Sequence, residues 1–235
     1  NYSSIRSLSF DPKKRRIYAG ASDEFGYFDL NTATYNLEYH SLSKLLPTGS
    51  KVFGEIWKIH QMPSGEVVFQ GRDHLFCYSH QNKIITLKTS AAIENSTMVE
   101  GKLYVATPDG IFGYAAGKLS PLPGMESMAG KRISGMVGYE GRVMFVTMSH
   151  GLYVYDGHSF TPLALDISPL LRENNVFCVA ASKRYIGFGT IKNGLIVKDL
   201  QTGSNHYVNS NTGLQNNTVL SMRFDNLDNI WCSAP

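Results

Sequence analysis

The 235-residue chain carries 22 Lys and Arg against 19 Asp and Glu, a net charge of +3, with 43% hydrophobic and 17% charged residues. That balance excludes a disordered chain. The basic residues are scattered apart from Lys13-Lys14-Arg15-Arg16, which reads as a solvated turn, so no broad basic face for nucleic acid is present. No apolar stretch approaches the roughly 18 residues needed to span a bilayer. The three cysteines, Cys77, Cys178 and Cys232, fall in apolar strand patterns and read as buried free thiols rather than a disulfide framework or a zinc site.

In chain order, a first inner strand is predicted over Ile5 to Phe10, and the basic turn leads into a second, Ile17-Tyr18-Ala19-Gly20-Ala21. A one-turn helical segment at Ser41 to Leu46 is the best helical candidate. The second-strand run then recurs as Val67 to Gly71, Leu103 to Thr107, Val143 to Thr147, Ile186 to Thr190 and Ile230 to Ala234. Before it stands another apolar strand and a polar turn, as in Ile133 to Val137 with Tyr139-Glu140-Gly141-Arg142, and Val219 to Phe224 with Asp225 to Asn229. After it a glycine opens a third strand at Gly110, Gly151 and Gly194, where a sharp turn or bulge is needed. Glu24 and His74 hold that slot in the first two repeats. A fourth, outer strand follows, and Pro162 in Ser159 to Leu163 suits an edge.

The run recurs every 36 to 50 residues, near the ~40–45 of a four-stranded propeller blade. A lone four-stranded sheet cannot bury both faces, whereas sheets stacked about an axis can. The expectation is therefore an all-β fold, a β-propeller of four-stranded antiparallel blades, about five and a half blades in all. The blades are predicted at 1–48, 49–91, 92–130, 131–173 and 174–215, with a partial one at 216–235. The chain begins at Asn1 and ends at Pro235 inside strand patterns, which reads as a piece of a longer protein; either downstream sequence supplies the missing strands or the ring is open.

The segment Asn211-Thr212-Gly213-Leu214-Gln215-Asn216-Asn217-Thr218-Val219, followed by Ser221 to Asp225 and Asp228-Asn229-Ile230-Trp231, resembles the G-L-x-x-N-x-V-x-x-I-x-x-D-x-x-G-N-I-W signature of the two-component regulator propeller repeats. Gly151 to Asp156 is similar to that family's G-L-x-x-Y-D element. Asn226 to Asn229 lacks the usual glycine, and Ala21, Gly71 and Ala234 replace the usual threonine. The resemblance implies the periplasmic sensor region of Bacteroidetes hybrid two-component systems and related one-component regulators. It implies an oligosaccharide ligand, signalling to transcription of glycan-use genes, and self-association through the full-length sensor.

No nucleophile motif, phosphate loop or metal-ligand spacing appears, so no catalytic residue, cofactor or metal is expected. Asp23 and Glu24 are neighbours in a strand pattern and point to opposite faces, unlike a glycosidase pair. His80, His158 and His206 fall in or near outer turns. The link between second and third strands shares one end with the loops entering the inner strands. It carries Asp23, Arg72, Asp73, His74, Asp109, His150, Lys192 and Asn193, whose polar groups would meet sugar hydroxyls, with Trp57 and Phe53 as aromatic platforms. The blander reading makes these ordinary turn residues and Trp57 core. The alternative function is a protein–protein interaction scaffold without a small ligand.

Overall fold

The structure, a computed structural model, describes residues 4–79 and 81–235. Asn1, read as part of a strand pattern, and His80, read as an outer-turn residue, lie outside the described residues. The chain forms six antiparallel sheets among the described residues, five of four strands and one of two. The first holds β1 (Ser7–Asp11), β2 (Arg16–Gly20), β3 (Phe25–Leu30) and β4 (Leu37–Ser41). The second holds β5 (Lys58–Gln61), β6 (Val67–Gln70), β7 (His74–Tyr78) and β8 (Ile84–Lys88). The third holds β9 (Asn95–Val99), β10 (Lys102–Thr107), β11 (Gly110–Ala115) and β12 (Lys118–Pro121). The fourth holds β13 (Ile133–Tyr139), β14 (Arg142–Thr147), β15 (Leu152–Tyr155) and β16 (Phe160–Leu163). The fifth holds β17 (Val176–Ala181), β18 (Tyr185–Thr190), β19 (Leu195–Asp199) and β20 (Asn205–Val208), and the sixth β21 (Ser221–Phe224) and β22 (Ile230–Ser233). In every four-stranded sheet the strands lie in sequence order, so each sheet is a simple antiparallel meander.

Two compact units divide the chain, residues Asn1–Val105 with Gly113–Ser120, and Ala106–Phe112 with Pro121–Pro235. In the first, the strand period of two sends Val67 and Phe69 to one face of the second sheet and Val68 to the other. Phe69 meets Tyr18, Phe25 and Phe76 in one cluster, with the Phe25 and Phe69 rings 4.7 Å apart. Val68 meets Leu75, Cys77, Leu103, Val105 and Tyr114 in the other. This is why Val67-Val68-Phe69 reads as a continuous apolar run rather than an alternating one. In the second unit Met144, Val146, Val154, Leu171, Ile186 and Phe188 share one cluster, and Leu195, Val197 and Val219 form a further cluster with Met222 and Ile230.

Lys13, Lys14 and Arg15 form the turn between β1 and β2, while Arg16, expected in that turn, opens β2 and donates to Asp29 at 2.7 Å; Pro162 lies on β16, an outer strand, as the sequence requires. The helical segment at Ser41 to Leu46 is a single 3-10 turn, Ser43–Leu45. A real α-helix, α1 (Ser168–Asn174), was not expected. It has only seven residues, too few for a helical period to show, and Pro169 at its first turn is compatible with a helix start. The cysteines are corrected in part: Cys77 is buried and Cys178 half-buried, but Cys232 is exposed on the two-stranded sheet, where no third strand covers it among the described residues.

Candidate functional site

In the first unit the site begins with Asp23, whose left-handed backbone (φ 54°) turns the chain after β2. Its carboxylate accepts the backbone N–H groups of Phe53 at 2.7 Å and Gly54 at 2.6 Å. Glu24 points the other way and accepts Tyr39 Oη at 3.0 Å and Ser41 Oγ at 2.8 Å. The expected strand alternation is corrected: both acids lie in the turn between β2 and β3, and the left-handed backbone of Asp23 is what sends Asp23 to the 53–54 loop and Glu24 to β4. Burial, reinforced by Glu24, raises the Tyr39 phenol above its ordinary value.

Asp23 fixes the segment that carries Trp57. Ile56 is fully buried, and its N–H donates to the Ala21 carbonyl at 3.1 Å. The next residue therefore faces out: Trp57 is 52% exposed while its N–H donates to the Gln70 carbonyl at 2.8 Å. The Arg6 guanidinium lies 6.0 Å from the Trp57 ring centre. Arg6 is oriented by Glu55, donating from Nε at 3.0 Å and from Nη2 at 3.5 Å. Sequence reasoning missed Arg6 and Glu55. They stand 49 positions apart, and only the pairing of the first two sheets joins them.

The register Lys58 with Gln70 places Trp57 at the strand end from which Arg72, Asp73 and His74 follow. Arg72 is exposed, and its carbonyl accepts the Ile93 N–H at 2.7 Å. Asp73 accepts from His74 Nδ1 at 2.7 Å and lies 4.0 Å from Lys88 Nζ. The His74 imidazole stacks parallel to Phe76 with ring centres 5.8 Å apart. The structure thus brings Trp57, Arg72, Asp73 and His74 to one end of the second sheet. Phe53 is corrected: it is buried, its ring 4.7 Å from Phe76 and 5.6 Å from Phe25, and it serves the core instead of a platform. On the first sheet a cleft of about 550 Å³ is lined by Ile5, Ala19, Ala21, Glu24, Phe28 and Tyr39 among others. Ile5 faces the cleft, and the next residue, Arg6, faces Trp57.

In the second unit Asp109, His150, Lys192 and Asn193 occupy one kind of turn. Thr147 Oγ1 donates to the Gly151 carbonyl at 2.7 Å and accepts the His150 N–H at 2.9 Å. Thr190 repeats this with Gly194 and Asn193, both at 2.9 Å. Thr107 repeats it more loosely with Gly110 at 3.3 Å and Asp109 at 3.2 Å. The positions chosen from the sequence are therefore the turn itself, set by the threonine that closes each second strand. The end of α1 links two of these turns: Val176 donates to Met148, and Ile191 donates to Asn174 and Asn175. Lys192 Nζ reaches the Glu173 carbonyl at 3.4 Å.

Among the described residues no group of three or more His, Cys, Asp or Glu side chains is placed to hold a metal ion. One histidine does meet a serine: His60 Nε2 lies 2.6 Å from Ser96 Oγ. His60 is 8% exposed and Ser96 1%, and Ser96 is also bonded to Gln70 Oε1, so the pair sits in packed interior rather than at a surface a substrate reaches.

No family model matches the chain, and no curated protein matches it. Solved structures do. The extracellular domain of BT4673 from B. thetaiotaomicron, described once as part of a one-component system, superposes with a TM-score of 0.68 at 16% identity, covering 97% of this chain and 31% of that one. A second structure of that domain, described as part of a hybrid two-component system, gives 0.62 at 12% identity, covering 98% and 37%. The WD40 β-propeller domain of Doa1 gives 0.68 at 13% identity, covering 99% and 76%. The chain thus has the β-propeller fold, and it spans about a third of the length of the extracellular domains it matches.

Proposed function

We propose that this chain is a non-enzymatic, ligand-sensing propeller of a periplasmic sensor region, and that its ligand is an oligosaccharide bound at the Trp57 end of the first unit. The observation that carries the reading is the exposed Trp57 ring with the Arg6–Glu55 pair fixed beside it. An aromatic face covers the apolar face of a sugar ring, while a guanidinium and a carboxylate held together supply donors and acceptors to its hydroxyls. Arg72, Asp73 and His74 extend the polar rim along the same strand end. The likeness in fold to extracellular domains of a two-component system, and the repeat signature at Gly213 to Trp231, support a place in a membrane-anchored sensor. Binding then signals by favouring one arrangement of paired sensor chains over another, since a ligand acts only through differential affinity for two states.

A protein-interaction scaffold is the second reading: the exposed Trp57 ring suits a protein partner as well as a sugar. A thermal-shift screen against plant, host and microbial oligosaccharides separates the two. Binding to the native state alone adds about 2.7 kcal/mol at a hundredfold excess over Kd. The sensor reading expects a raised Tm with one glycan class, lost in Trp57→Ala while the unliganded Tm is kept. No shift with any glycan moves the assignment to the scaffold.

A further inference from the structure

The buried polar cluster around His60 has no part in the proposed sugar site. It joins three strands of the first unit. Lys58 Nζ, from β5, donates to Asn95 Oδ1 at 3.1 Å and to the Ser96 carbonyl at 2.9 Å on β9. His60 Nε2, two residues on and on the same face, meets Ser96 Oγ at 2.6 Å, and Ser96 Oγ in turn is bonded to Gln70 Oε1 on β6. With the Ser96 hydroxyl proton given to Gln70, the imidazole must hold its own proton on Nε2 and donate to Ser96, which fixes a neutral tautomer. We propose that His60 is a proton-coupled latch that holds β9 to β5 and β6 while its imidazole is neutral and favours their separation when it takes up a second proton.

Among the described residues the one charge that acts on the His60 ring is the Lys58 ammonium, which opposes an imidazolium. From its own strand His60 faces the Lys58 ammonium; from β9 it faces Asn95 and Ser96; from β6, Gln70; and from β7 the neutral Cys77 thiol shares the same sheet face. Glu66, the carboxylate at the far end of β6, is taken by Tyr114 Oη at 2.6 Å. Burial first, and the Lys58 charge second, lower the His60 pKa to about 3. Once β9 parts from β5, the ring meets water and binds a proton with its ordinary affinity near pH 6.5. The opened state therefore holds more protons than the closed one throughout the interval between. Opening must become easier as pH falls, about tenfold for each unit of pH. Lys58, whose burial lowers its pKa only to about 8, stays protonated in both states below pH 7 and adds no slope there.

Native-state hydrogen exchange across pH 4.5 to 6.5, corrected for intrinsic exchange rates, tests this on the amides of β9, with β17 and β18 as internal reference. Carboxylates of ordinary pKa begin to protonate at the lower end of this interval, and the profile of His60→Gln subtracts their share. The expected result is a β9 opening constant that rises by up to about tenfold per unit of falling pH relative to the reference, and a flat profile in His60→Gln, which keeps a donor but does not titrate. An equal slope in His60→Gln, or no slope in the native protein, overturns the latch. Should His60→Gln fail to fold, the imidazole carbon shifts of the native protein decide. A ring that stays neutral to pH 4.5 in the closed state supports the latch, and one that titrates near 6.5 there overturns it.

Discussion

Phe53 and Trp57 are four positions apart, and both were plausible platforms from the sequence, yet only one faces solvent. The difference lies in what the chain between them does. Asp23 pins the N–H groups of Phe53 and Gly54, and Gly54 takes φ 78°, so Phe53 turns inward against Phe25 and Phe76 while Trp57 turns out. A carboxylate 30 residues away decides the orientation, which no local pattern reveals. The same limit explains Arg6 and Glu55, and it explains Cys232. All three cysteines sit in apolar strand patterns, but Cys232 stands on the two-stranded sheet and is exposed among the described residues. Burial pushes the Cys77 and Cys178 thiols up to about 12. Thiolate is the reactive form, so a thiol reagent at pH 8 should modify one cysteine quickly and two only on unfolding. Loss of the fast phase in Cys232→Ser identifies it. Two fast thiols would show that the core around Cys77 or Cys178 is looser than the packing implies.

At the scale of the element, the turn after each second strand was the most legible feature. The recurrent threonine and the glycine three or four positions on are the two ends of one hydrogen bond, from Thr147 to Gly151 and from Thr190 to Gly194. Glu24 and His74 do stand in the glycine slot, their carbonyls accepting the N–H groups of Ala21 and Gly71, both at 2.8 Å. What the sequence could not separate was a turn residue from a ligand residue, since both are polar and both follow the strand. Asp109, His150 and Asn193 give their backbone N–H groups to the turn, and their side chains carry whatever further role they have. Because Thr190 is fully buried and its hydroxyl both donates and accepts, Thr190→Val should cost about 1–3 kcal/mol. Chemical denaturation reads this as a lower midpoint at unchanged slope. A midpoint equal to that of the native protein would mean that the backbone holds the turn alone. Helix α1 is not legible in the sequence because seven residues make barely two turns, too short for an amphipathic stripe.

At the scale of the whole molecule, the all-β propeller class followed from one quantity, the spacing of a five-residue run, because a sheet with two apolar faces needs neighbours on both sides. The second sheet shows this directly, with Phe69 and Val68 in different clusters. Function was less legible, because a propeller end gathers residues from strands far apart in sequence and the chemistry depends on which of them converge. Here the convergence that can be named is Trp57 with Arg6 and Glu55, at the strand end from which Arg72, Asp73 and His74 follow. The chain contains two tryptophans, Trp57 and Trp231. Replacing Trp231 by Phe therefore leaves Trp57 as the sole indole reporter, and its fluorescence can be followed as the glycan identified by thermal shift is titrated in. A sugar stacked on the ring must change its emission, saturably and with the same midpoint as the thermal response. That result places the ligand on the Trp57 platform; unchanged emission while the glycan still stabilises the protein would contradict the account.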